Sequence, residues 1–223
     1  MRVWSRASFW WRLAVALSAG TGLVTGTASL VYFTVQSNVI AFGYFGAAVY
    51  WMLKRNSTEA PAPRLRGAVT LYLLITALVA HFVLNHGANP LPGLGPGPDR
   101  LANWSTFFLH YITPVLVMID WLVLRPRNAS HLRDVPLWLA FPLTYAAVTL
   151  ARAAMFPHFP NKYPYFFLDA DKHGYGWVGL QVLQLTVGFT ALALLVVALD
   201  RLGSMSAGRL LIRRSPQPLA EQP

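Results

Sequence analysis

Residues 177–199 read WVGLQVLQLTVGFTALALLVVAL, a stretch with no Asp, Glu, Lys or Arg. A bilayer core about 30 Å thick needs about 20 mostly apolar residues in a helix. This stretch meets that need without help from its flanks. Working back toward the amino terminus, five more stretches have the same character: Leu13–Phe33, Gln36–Leu53, Ala68–Asn85, Trp104–Leu124 and Val135–Met155. The sequence therefore predicts an all-α polytopic membrane protein, six transmembrane helices in one bundle over residues 1–207, with a disordered cytoplasmic tail at 208–223. The second span is instructive. Its apolar part, Val39–Leu53, is short, so the helix must include Gln36, Ser37 and Asn38 or begin with them at the interface. Pro114 and Pro142 fall inside spans four and five, as membrane helices tolerate when neighbours satisfy the freed carbonyls.

Composition agrees. Hydrophobic residues make up 55% of the 223 and charged residues only 12%, about half the share usual in soluble domains. There is no cysteine, which excludes disulfides, thiolate metal sites, iron–sulfur clusters and a cysteine nucleophile. The net charge of +10 would suit a nucleic-acid binder if it formed a patch, but its placement says otherwise. On the side shared by both termini lie Arg2, Arg6, Arg12, Lys54, Arg55, Arg64, Arg66, Arg125, Arg127, Arg133, Arg201, Arg209, Arg213 and Arg214. The opposite loops hold only Arg100, Lys162 and Lys172, and Arg152 lies within span five. This asymmetry puts both termini in the cytoplasm. It assigns the basic residues to orientation and to anionic lipid headgroups rather than to nucleic acid. The basic, apolar start resembles a signal peptide around Thr25-Gly26-Thr27-Ala28, but the apolar run continues to Phe33 and is read as a retained helix.

Polar residues inside the spans gather at one level. Following the chain back and forth places Thr34, Gln36, Ser37, Asn38, His81, Asn85, Asn103, Thr106, His110, Thr149, Arg152, Gln181 and Gln184 in the outer half. Asn103, Thr106 and His110 are three and four residues apart and share a helix face, as do His81 with Asn85 and Gln181 with Gln184. Intramembrane polar groups are costly, so a whole layer suggests a pocket, although such groups also serve simply to join helices. In the inner half, Asp120 reads as an ion-pair partner of the nearby arginines. The outer segments Asn89–Asp99 and Phe156–Tyr175 read as irregular caps. The aromatics of the second suggest packing onto the bundle.

Several chemistries fit this layer. Hydrolysis needs a hydroxyl and a base, which Thr34 and His110 supply. Arg152, Gln36, Asn38, His81, Gln181 and Gln184 are candidate contacts for an oxyanion or substrate, and no cofactor is required. His81 and His110 could instead ligate one haem b, though the second pair expected of a two-haem carrier is missing. Transport lacks a visible repeat. Zinc hydrolysis through His81, His86 and His110 lacks the H-E-x-x-H spacing. A non-enzymatic membrane component is the remaining reading.

Three motifs carry a resemblance. Tyr32-Phe33-Thr34-Val35-Gln36-Ser37-Asn38 resembles a Y-F-T-x-Q-S-N signature of six-pass bacterial membrane proteins, which are themselves similar to the androgen-induced protein family of membrane hydrolases. His110-Tyr111-Ile112-Thr113-Pro114 followed by Asp120 resembles that family's H-x-x-x-P-x5-D/E segment. Tyr163-Pro164-Tyr165-Phe166-Phe167-Leu168-Asp169 resembles its Y-P-Y-P-F-L-D segment, with Phe166 replacing the second proline. Arg152 occupies the upstream arginine position. The resemblance covers roughly residues 12–199. It implies a threonine-dependent hydrolase of lipid esters, with Thr34 as nucleophile and His110 as base. The implied substrates are fatty acid esters of hydroxy fatty acids or related membrane lipids.

Overall fold

The computed structural model describes residues 3–26, 29–59, 61–124 and 129–212, with side chains to residue 202. Six long helices lie among the described residues: α1 (Ala7–Thr25), α2 (Phe33–Arg55), α3 (Pro63–Leu84), α4 (Arg100–Val123), α5 (Val135–Met155) and α6 (Tyr175–Ile212). No strand occurs among them. Where the sequence predicts a disordered tail from 208, the last helix continues through Ile212, and 213–223 lie outside the described residues. So do Arg2, Arg125, Arg127, Arg213 and Arg214 of the basic set, and Thr27 and Ala28.

Four helices, α3 to α6, are long and apolar enough to cross a bilayer. The shorter α1 carries Arg12 and two tryptophans, and α2 carries Gln36, Ser37 and Asn38, so both fall below that composition. Both nevertheless pack into the same bundle: α1 lies against α2 and α4, and α2 against α3. Large apolar side chains cover the outside, among them Val24 (81% exposed), Leu137 (72%) and Val123 (70%). Such a continuous apolar coat is untenable in water and normal in lipid. The four apolar helices point to a membrane protein.

The core joins residues from every helix, including Val15, Phe45, Leu73, Trp121, Trp138 and Val196. The loop after α5 belongs to it: Tyr165, Phe167 and Leu168 are buried, as its aromatic content predicts. The 89–99 segment has only one turn of 3₁₀ helix, Leu91–Leu94, tied to α4 where Asn103 Nδ2 donates to Gly93 O (2.8 Å).

Two departures from the predicted spans shape the site. The expected first span runs to Phe33, but α1 ends at Thr25 and α2 begins at Phe33, so Thr34 opens the second helix. The break falls at Gly26, which is extended; a Cβ there would overlap Ser105 Oγ, which donates to Gly22 O at 2.6 Å. The closeness of α4 thus fixes where α1 stops. The second departure is a pair of π-helical turns, Val79–Leu84 within α3 and Phe108–Ile112 within α4. Such turns add a residue to the helical repeat, reorienting the side chains around them, and recur at functional sites. One contains His81, the other His110.

The opposite end of the bundle is held by a buried charge cluster. Asp120 accepts from Arg12 Nε (3.3 Å) and Arg66 Nε (2.7 Å), and all three residues are 1% exposed or less. Arg12 and Arg66, counted in the sequence among headgroup-facing charges, are therefore sealed inside the protein.

Candidate active site

Thr34 is the second residue of α2, and its hydroxyl lies 3.1 Å from His110 Nε2 on α4. The other ring nitrogen, Nδ1, lies 2.9 Å from Thr106 O. A carbonyl only accepts, so Nδ1 carries the proton. The neutral ring then presents a lone pair at Nε2, and the Thr34 hydroxyl donates to it. This is the tautomer a general base at Thr34 requires.

Asn38 locks the pair in register. Its Nδ2 donates to Thr34 O (2.9 Å) and to Leu109 O (3.1 Å), bridging the carbonyls of the hydroxyl residue and of the residue before the base. Leu109 O needs this donor. The Thr113 N–H goes to Phe108 O in the π register, and Pro114 has no N–H to give. Proline, π turn and buried asparagine form one local solution. Asn38 is fully buried, with both amide hydrogens committed to carbonyls, so it positions the site and has no donor left for a ligand.

The approach to α2 is fixed by two further side chains. Gln36 Nε2 donates to Leu30 O (2.7 Å) and the Tyr145 hydroxyl donates to Val31 O (2.8 Å). The first donor bonded within α2 is Gln36 N–H, to Tyr32 O, so the N–H groups of Phe33, Thr34 and Val35 have no acceptor inside the helix. The Thr34 N–H points to the Tyr165 phenol oxygen at 3.5 Å, and the Tyr165 oxygen is also 3.5 Å from Thr34 Oγ1. Burial holds the Tyr165 phenol above its ordinary value, only partly opposed by the Thr34 contacts, so it stays a neutral donor. Nothing in the polarity of the sequence marks Tyr165 as a site residue. Only its place in the Tyr163–Asp169 motif pointed to it.

The remaining candidates lie apart. Arg152 reaches the loop, with Nη2 donating to Lys162 O (3.4 Å) and its guanidinium 4.8 Å from the Phe159 ring centre. It lines neither cavity beside Thr34. His81 Nδ1 and Asn85 Nδ2 both approach the Tyr111 hydroxyl at 3.4 Å, one helix face from His110. Gln181 and Gln184 sit on α6 and also line neither cavity. Both nitrogens of His110 are engaged, Nε2 with the Thr34 hydroxyl and Nδ1 with Thr106 O. Among the described residues no group of three or more His, Asp or Glu side chains is placed to hold a metal ion.

Two cavities meet at Thr34. A chamber of about 340 Å³ is lined by residues including Tyr32, Thr106, His110, Pro164 and Phe166. An apolar slot of about 60 Å³ is lined by residues including Ile75, Ala80, Ala146, Val182 and Phe189. Thr34, Leu84 and Tyr165 border both.

A hydroxyl beside a histidine whose other nitrogen carries the proton, at a helix amino terminus and between two cavities, has the geometry that a nucleophile–base pair requires. No protein-family model matches the chain, and neither a curated protein nor a solved structure does.

Proposed function

We propose that this protein is a membrane-embedded hydrolase of lipid esters, acting on fatty acid esters of hydroxy fatty acids or related lipids. In this reading all six helices span the membrane, both termini are cytoplasmic, and the Thr34–His110 pair lies in the outer half. The observation that carries it is the 3.1 Å contact of Thr34 Oγ1 with an Nε2 left as acceptor by the Nδ1–Thr106 bond. His110 takes the Thr34 proton as Oγ1 attacks the ester carbonyl carbon, and the carbonyl oxygen becomes an oxyanion. The N–H groups opening α2 and the Tyr165 hydroxyl are the nearest donors to that charge, at the positive end of the helix dipole. When the intermediate collapses, the imidazolium gives its proton to the departing alkoxide and an acyl-threonine remains. Water then donates a proton to His110 and attacks the same carbonyl. Collapse releases the carboxylic acid, and the proton returns to Thr34.

Covalent labelling tests the reading directly. A lipophilic fluorophosphonate should modify the wild-type protein at Thr34, and Thr34→Ala should not label. Labelling that persists in the variant, or maps elsewhere, would sink it. A second expectation concerns the oxyanion. Tyr165→Phe keeps the ring packed against Phe167 and removes the hydroxyl. It should lower kcat by on the order of 10²-fold, with KM little changed. A change confined to KM would show that Tyr165 acts in substrate binding instead.

A further inference from the structure

The two cavities at Thr34 differ in what they offer an ester. The slot descends from the site between α3, α5 and α6. It follows α6 from Val182 to Phe189, about 10 Å at a rise of about 1.5 Å per residue. Most of its hydroxyls are used internally: Thr186 donates to Val182 O (2.7 Å) and Tyr145 to Val31 O (2.8 Å). Beyond the mouth, the only unpartnered side-chain oxygen on its wall among the described residues is Thr76 Oγ1. Leu143, also on the wall, is 41% exposed, so this wall borders the apolar outside of the bundle. The chamber is wider and contains His110 and Thr106, neither of which lines the slot.

We propose that the slot receives the acyl chain and the chamber the alcohol half of the ester, so that chain-length selectivity resides in the slot wall at Ala80 and Ala146. The assignment rests on Thr34 acting as nucleophile, and follows from where the proton must go. The leaving alkoxide takes its proton from His110 Nε2, so the alcohol oxygen has to depart on the His110 side. The acyl chain, pointing the other way from the same carbonyl carbon, enters the slot. Water for the second half of the cycle must also meet His110, and reaches the acyl-threonine through the chamber the alcohol has vacated. The favoured substrates are esters of an unbranched long-chain acid with a bulkier, more polar alcohol.

Two matched series of esters test this: acyl groups of increasing length on one short alcohol, and alcohols of increasing length on one short acid. Ala146→Phe on α5 and Ala80→Leu on α3 each narrow the slot. Each should lower kcat/KM for the long acyl esters by about tenfold or more relative to the short one. Activity across the alcohol series should stay parallel to wild type. A loss that follows alcohol length reverses the assignment, and unchanged acyl selectivity in both variants removes the slot from binding. Both results overturn the proposal while Thr34-dependent hydrolysis stands. Hydrolysis that survives in Thr34→Ala overturns the nucleophile, and this assignment with it.

Discussion

Replacing His110 by alanine should lower ester hydrolysis by about 10²–10⁴-fold, the usual worth of a positioned base. Thr34→Ala should bring it to background. The two losses should not add: the double variant should be no slower than Thr34→Ala, because a base with no hydroxyl to deprotonate contributes nothing further. Thr34→Ser should keep measurable activity, since it loses only a methyl group from a buried position and retains the hydroxyl. The assay is hydrolysis in detergent or vesicles, with elution and thermal unfolding compared to show that each variant is folded. Thr34 Oγ1 bonds no backbone carbonyl, unlike Thr70, Thr186 and Thr190, which each return a bond to the carbonyl four residues earlier. Thr34 opens α2, so the residue four before it, Leu30, lies outside the helix, and the Thr34 hydroxyl is directed instead to a histidine on another helix.

Much of this arrangement is legible in the sequence, and the parts that are not have physical reasons. Val135–Met155 has the predicted bounds, because a long apolar run between polar flanks leaves one solution. The common level of Thr34 and His110 follows from counting spans. The start of α2 at Phe33 does not follow, since Leu30 and Val31 are as apolar as helix residues. The break depends on Ser105, which is distant in the chain and fills the space beside Gly26. The π turn at Phe108–Ile112 is equally hidden, because it arises from the missing N–H of Pro114 together with a donor from Asn38 on another helix. The polarity of Gln36 and Asn38 marks them as significant, yet not how: their donors go to backbone carbonyls, and the polar groups left facing the Thr34 oxygen are His110 and Tyr165. Arginines read differently again. A charge count treats Arg12 and Arg66 as surface residues, whereas a carboxylate on a third helix draws both inside.

That inward pull gives the largest expected effect on stability. Asp120→Ala should destabilise the folded protein by about 3–5 kcal/mol, the cost of leaving a buried charge without its partner. The effect should fall at the high end because two guanidinium groups lose the same counter-ion. Arg12 would keep Nη1 on Thr58 O (2.8 Å) and Nη2 on Leu124 O (3.3 Å), and Arg66 would keep Asp120 O. Leu124 O and Asp120 O are among the last carbonyls of α4, the negative end of its dipole, so they compensate part of the excess positive charge but not all of it. Arg66 Nη1 already has no hydrogen-bond partner, only the Trp121 ring beside the guanidinium, 5.4 Å from its centre. Asp120→Asn should cost less than Asp120→Ala, since the amide oxygen still accepts one bond. The informative comparison is the triple variant Arg12→Met, Asp120→Leu, Arg66→Met. If the cluster serves net stability, this variant should unfold more readily than wild type. If the cluster instead fixes the register of α1, α3 and α4, the apolar triple should be at least as stable as wild type and still lose hydrolysis, because α1 and α4 also meet at Gly26 and Ser105, beside the chamber that holds His110. The second outcome is expected: charge burial alone seldom adds stability, and the contacts that place His110 against Thr34 depend on how α4 lies against its neighbours.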